Sequence, residues 1–220
     1  YKTWSAAGLA GVWAQENTRA SIYDAFRRKE TFGTSGPRIK VRFFAGYDIP
    51  AIDDKALLTK AYTNTTMGGD LIATESDTPS FLVWAARDAN SAPLQRVQII
   101  KTAVKDGQTV EEVFDVACAD GNAVDPTTNR CPDNGARVDL SDCSYSQDKG
   151  AAELRTVWQD PGYAPSQRAM YYVRVLENPT CRWSTWDALR EGVAPREGLH
   201  KTIQERAWSS PIWVTPLAGQ

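Results

Sequence analysis

Five consecutive residues, Thr34-Ser35-Gly36-Pro37-Arg38, gather two hydroxyls, a glycine, a proline and a guanidinium into one short passage. Hydroxyls, backbone N–H groups freed by a tight turn and an arginine fork are the donors that match phosphate or sulfate oxygens. On that chemistry Thr34, Ser35 and Arg38 are the candidate residues for holding a small anion. The same composition suits a plain helix-to-strand turn, in which glycine and proline set the geometry and Arg38 faces solvent. The residues alone leave both readings open.

Other chemistry is thinner. Cys118, Cys131, Cys143 and Cys181 contain no C-x-x-C pair, which argues against zinc. An even count, with three of the four in a polar loop region, suits two disulfides in an oxidising compartment. Four cysteines allow three pairings, and four reduced thiols remain the alternative. Asp120-Gly121-Asn122-Ala123-Val124-Asp125 has the acidic spacing of a loose calcium loop but lacks the terminal bidentate glutamate. His200 is the only histidine and has no obvious partner nearby in sequence, so an exposed loop position is expected. Glu16, Asn17 and Arg19 form a polar cluster that either faces a cleft or caps the helix, and capping is the commoner role of such groups. There is no Walker A, G-x-G-x-x-G or G-x-S-x-G signature, and one histidine falls short of the ligand set of a metal-hydrolase centre.

These residues need elements to position them. At 220 residues, the chain can hold one large domain, or a small one with a fragment of another. Its 42% hydrophobic and 24% charged content is that of a soluble globular protein. The net charge of −2, with lysines and arginines scattered among acids, argues against a nucleic-acid surface, which would show a basic stripe. No apolar run reaches the length of a bilayer span. The chain begins at Tyr1 straight into folded-looking sequence without a signal peptide, and reads as part of a longer protein.

Ala6 to Ala14 is small and apolar, a buried strand or loop feeding a helix. Asn17 and Thr18 are N-cap types, and Ile22, Tyr23, Ala25 and Phe26 fall at helical spacing. Arg27 to Lys29 suit the last turn, and Gly33 reads as the stop. Ile39 to Phe43 alternates as a half-buried strand. A short helix is expected within Asp53–Tyr62, and a turn at Gly68-Gly69. Strands are expected at Phe81–Ala85, Leu94–Val104, Thr109–Ala117, Ala152–Trp158 and Met170–Leu176, with Asp106-Gly107 as a hairpin turn. Cys118 to Ser146 is a long polar loop with a short strand at Arg137–Leu140, a length two disulfides would keep ordered. Ser184 to Asp187 reads as a capping box for a helix that Gly192 closes. Pro211 marks an edge or bulge in the last strand. Several short strands with hairpin turns argue for a β-sandwich.

Several segments together carry a family resemblance. Gly8-Leu9-Ala10-Gly11-Val12-Trp13-Ala14-Gln15-Glu16-Asn17-Thr18-Arg19 and Arg28-Lys29-Glu30-Thr31-Phe32-Gly33-Thr34-Ser35-Gly36-Pro37-Arg38-Ile39 resemble the bacterial family called domain of unknown function 3604. The likeness continues through Met67–Leu71, Gly150–Leu154, Tyr171–Val175 and Arg182–Thr185, and ends in Ile203–Trp213. Members of that family are longer, usually exported, and similar to PHP-type metal-dependent hydrolases, whose distorted β/α barrel carries His and Asp ligands at its strand ends.

The resemblance implies that residues 1–38 are the end of such a barrel and that residues 39–220 form a mainly β, immunoglobulin-like sandwich with a cysteine-containing loop at 118–146. It implies a periplasmic or secreted hydrolase of phosphoesters or related esters, whose divalent metal ions and ligands lie upstream, with no cofactor within this chain. The partner is then the upstream barrel segment of the same protein. Thr34, Ser35 and Arg38 would line the barrel mouth and hold the anionic group of a small substrate. The alternative is a non-catalytic binding or assembly module of a degenerate barrel.

Overall fold

The computed structural model describes residues 7–105 and 107–217. Along the chain run β1 (Leu9–Val12), α1 (Arg19–Arg27), β2 (Thr31–Thr34), β3 (Lys40–Gly46), α2 (Leu57–Ala61), β4 (Thr65–Thr66), β5 (Asp70–Ile72), β6 (Ser80–Ala86), β7 (Leu94–Lys105) and β8 (Gln108–Cys118). There follow β9 (Glu153–Gln159), β10 (Ala169–Glu177), β11 (Thr180–Cys181), α3 (Trp183–Glu191), β12 (Thr202–Ile203), β13 (Arg206–Ser209) and β14 (Ile212–Thr215). The protein is mainly β, as the alternating segments predict.

Two sheets share one core. The larger is built on β10, which pairs along one edge with β7, itself paired to β8, and along the other with β13 and β14. The smaller runs β4-β3-β6-β9. Among the described residues every strand pairing, including the separate β11–β12 pair, is antiparallel except β14 with β5. Val41, Phe43, Phe81 and Val83 of the smaller sheet meet Val97, Ile99, Tyr171, Val173 and Val214 of the larger in a single buried cluster. The Phe81 and Tyr171 rings lie 4.4 Å apart at its centre. Period-2 alternation produces this: the inward residues are apolar, while Lys40 and Arg42 sit on the opposite face of β3.

Pro211 falls where the last strand breaks into β13 and β14. The two halves pair with opposite ends of β10, and the Val173 N–H at the gap donates instead to Ser209 Oγ (2.9 Å). One polar cluster crosses the interior: Lys101 Nζ donates to Asp160 Oδ2 (2.6 Å) and to the Gly162 carbonyl (2.9 Å), and the Tyr171 hydroxyl donates to the same Asp160 oxygen (2.7 Å).

Several expectations change. The stop of α1 is Lys29, in the left-handed region at φ 57°, rather than Gly33. Gly33 lies inside β2, opposite Ala10 of β1 and Trp208 of β13. Part of the passage expected as a turn is therefore a strand, and it joins the first segment to the larger sheet through β13. Helix α3 begins at Trp183, with Arg182 at its N-cap and no side-chain cap. The expected capping box does not form: Ser184 Oγ accepts from Arg182 Nη1 (2.7 Å) and Thr185 Oγ1 donates to the Lys201 carbonyl (2.7 Å). The strand expected at Arg137–Leu140 is a single bridge, Val138 to Tyr145.

Other readings hold. Thr18 caps α1 by accepting from the Ser21 N–H (3.3 Å), and Gly192 closes α3 at φ 66°. The β7–β8 hairpin turns between Lys105 and Gln108 with Gly107 at φ 75°. Asp106, like Ala6 of the expected first apolar run, lies outside the described residues. Gly68, at φ 87°, sits against the Lys29 backbone where no Cβ would fit. Two disulfides form, Cys118–Cys131 and Cys143–Cys181, pinning the long loop to β8 and to β11. His200 is exposed outside any helix or strand.

Candidate functional site

The Thr34–Arg38 turn spends its backbone donors inside the chain. The Ser35 N–H donates to the Arg206 carbonyl (2.9 Å), the Gly36 N–H to Thr34 Oγ1 (3.2 Å) and the Arg38 N–H to Asp88 Oδ2 (2.8 Å). The Ser35 hydroxyl donates to Glu205 Oε2 (2.5 Å) and accepts from the Arg206 N–H (2.8 Å). Thr34 is buried in β2, and only Arg38 is exposed. Pairing with β13 dictates this arrangement, since it brings the start of β13 against the turn. The groups beside the turn are carboxylates.

Both carboxylates belong to a wider acidic set. Glu177, at the end of β10, has 0% exposure; its Oε2 accepts from Ser91 Oγ (2.5 Å) and its Oε1 has no partner. Burial, with the charges of Glu205 and Asp88 adding to it, pushes the Glu177 carboxyl up to about 7 despite the Ser91 hydrogen bond and the Arg87 charge. Hydrogen bonds from the Arg38 and Asn90 backbone hold Asp88 below the usual carboxylate range.

A cleft of about 570 Å³ opens on the other side of the first segment, lined by Trp13, Gln15, Arg28, Glu30, Arg42, Tyr62 and others. Its residues are fixed by secondary structure. Trp13 leaves β1 with its N–H on the Glu30 carbonyl (3.0 Å) and its indole N–H on the Val41 carbonyl (2.7 Å). The Arg42 guanidinium, on the polar face of β3, stacks 3.5 Å from the Trp13 ring centre. Tyr62 follows α2 and packs edge-on to Phe44. Glu30 follows the αL stop of α1 and is 5% exposed.

These side chains form a chain of hydrogen bonds. Arg42 Nη1 donates to the Tyr62 hydroxyl, which donates to Glu30 Oε1 (2.7 Å). Arg28 Nη2 reaches Glu30 Oε2 (3.4 Å) and the Trp13 carbonyl (3.4 Å). Burial, reinforced by the bond to Glu30, pushes the Tyr62 phenol up to about 12. The phenol is therefore neutral at ordinary pH, and the cleft carries two guanidinium charges against one carboxylate.

The residues present do not fit a metal centre. Among the described residues no three His, Cys, Asp or Glu side chains gather as a metal-binding group. Asp120 accepts from the Gly150 N–H (2.8 Å) and Asn134 Nδ2 (2.9 Å), and Asp125 from the Thr127 N–H (2.8 Å). The carboxylates at both ends of the calcium-like spacing are thus committed to loop geometry.

Sequence spacing picks out the Thr34–Arg38 turn but not the cleft. Its residues come from four separated segments, and the only local signal was the alternation that sets Arg42 opposite Val41 and Phe43. Glu177 gave no signal either, since its neighbours are brought in by the sheet.

No curated protein and no solved structure shows a significant match to the chain. The model of one family, "Protein of unknown function (DUF3604)", matches residues 1–216. With nearly the whole sequence matched, the chain belongs to the DUF3604 family.

Proposed function

We propose that this chain is the C-terminal, β-rich portion of an exported, PHP-like metal-dependent hydrolase acting on a phosphoester or related ester. The metal ligands lie in other parts of the same protein, and the two sheets form an immunoglobulin-like sandwich that supports them. The observation that carries the reading is the bare apolar side of α1. Ile22, Tyr23, Ala25 and Phe26 fall at helical spacing, yet only Ala25 is buried, while Tyr23 is 60% and Phe26 52% exposed. An amphipathic helix that leaves such rings in water suits a helix whose packing partner is supplied by a barrel. The two disulfides support an oxidising compartment, periplasmic or secreted.

The test compares Phe26→Ser in this chain and in the polypeptide of the complete gene. Here the ring is half in water, and the substitution costs within about 0.5 kcal/mol. In the complete protein it costs roughly 1.5–3 kcal/mol, the value of a fully buried ring. Equal, small effects in both would remove the docking role of α1. The well-formed cleft favours a second reading, a binding or assembly module of a degenerate barrel; absence of clustered His and Asp ligands elsewhere in the gene would select it.

A further inference from the structure

We infer that the cleft between Trp13, Arg28, Glu30, Arg42 and Tyr62 is a binding site for a small organic oxyanion, a carboxylate or a phosphate or sulfate monoester, with Arg42 as its principal anchor. The inference stands apart from the hydrolase reading, because it is read by binding alone.

Charge selects the ligand. Two guanidinium groups face one carboxylate, leaving one positive charge to be met. Each Glu30 oxygen already has a partner, one Tyr62 and the other Arg28, and the Arg28 guanidinium offsets its charge. Arg42 spends one nitrogen on the Tyr62 hydroxyl, and no other hydrogen bond holds its guanidinium among the described residues. The Trp13 ring 3.5 Å from its central carbon and the bond to Tyr62 restrain that guanidinium, so its remaining N–H groups are positioned before any ligand arrives. A carboxylate or phosphoryl group takes a guanidinium fork with two parallel hydrogen bonds.

The surroundings fit a molecule larger than the bare ion. A volume of about 570 Å³ lies within the range of small-molecule sites. Ala14 and Tyr62 add apolar residues to the lining, and Gln15 and Thr66 add uncharged polar ones. The Thr34–Arg38 turn offers the opposite environment, with its amides consumed and Glu205 and Asp88 beside it.

The experiment is calorimetric titration of phenyl phosphate, benzoate, phenyl sulfate and inorganic phosphate into the chain at pH 7 and low salt, with benzyl alcohol as the neutral control. At least one aryl oxyanion binds saturably and benzyl alcohol does not; comparison of the three aryl anions identifies the head group. Arg42→Gln and Arg42→Lys weaken binding by about tenfold or more, since the fork is lost in both. Glu30→Gln, which keeps an acceptor for Tyr62 while removing the negative charge, tightens binding several-fold. A merely structural role for the cluster would not give opposite signs for these variants. If Arg42→Gln misfolds, the half-exposed Arg28→Gln carries the test, with weakened binding expected. The inference fails if no oxyanion saturates, if benzyl alcohol binds as well, if Arg42→Lys binds as the native chain does, or if Ser35→Ala with Arg38→Ala abolishes binding instead.

Discussion

Replacing Glu177 by glutamine should stabilise the protein increasingly as pH rises from about 4.5 to about 7 and leave it unchanged below about pH 4.5. The side chain has no exposure, one oxygen is held by Ser91 Oγ, and the other has no partner. Glu205 and Asp88 add like charge and Arg87 only partly offsets them, so the carboxyl is raised from 4.5 to about 7. A folded-state value above the unfolded one means that the native state holds the proton more tightly. The contribution to stability is complete below about pH 4.5 and is lost as pH rises through about 7. At about 1.4 kcal/mol per pH unit, the loss approaches about 3 kcal/mol by pH 8. Glutamine is neutral throughout, and its carbonyl still accepts from Ser91. Urea unfolding at pH 4.5, 6 and 8 should therefore show native and Glu177→Gln stabilities that nearly coincide at pH 4.5 and separate by about 2 kcal/mol at pH 6 and about 3 kcal/mol at pH 8, the variant being the more stable. Parallel pH profiles, or a variant destabilised at pH 8, would refute the reasoning.

Further outcomes follow from the packing. Cys143–Cys181 joins residues 38 apart and Cys118–Cys131 joins residues 13 apart, so loop-closure entropy makes the double serine variant of the first pair cost about 4 kcal/mol against about 3 for the second. Denaturant unfolding measures both, and intact mass should show no alkylation before reduction. Lys101→Met leaves the buried Asp160 carboxylate without its cation, and thermal unfolding should register a loss of about 3–5 kcal/mol. Gly68→Ala demands a Cβ at φ 87° against the Lys29 backbone and should lower stability by about 1–3 kcal/mol or more, seen as a reduced Tm.

The parts of the fold that were legible in sequence are those written locally. Lys40-Val41-Arg42-Phe43 alternates, and β3 forms there with Val41 and Phe43 inward. The β7–β8 hairpin was likewise marked by its turn residues. Thr31-Phe32-Gly33-Thr34 was not legible as a strand, because an internal glycine reads as a break and the strand it joins, β13, lies at the far end of the chain. The Ser184 capping signal failed because Arg182 and the Lys201 carbonyl recruit the hydroxyls of Ser184 and Thr185 first. Disulfide pairing required the loop path. The cleft required the meeting of Trp13, Glu30, Arg42 and Tyr62, and the spacing of those four residues carries no local period.

The most direct test of the functional account is metal analysis and phosphoester turnover, measured side by side on this 220-residue chain and on the complete polypeptide. The account predicts tightly held divalent metal and turnover in the complete protein, and neither in the chain by itself. Stoichiometric metal with turnover in the 220 residues alone, or a complete protein with neither, would contradict it.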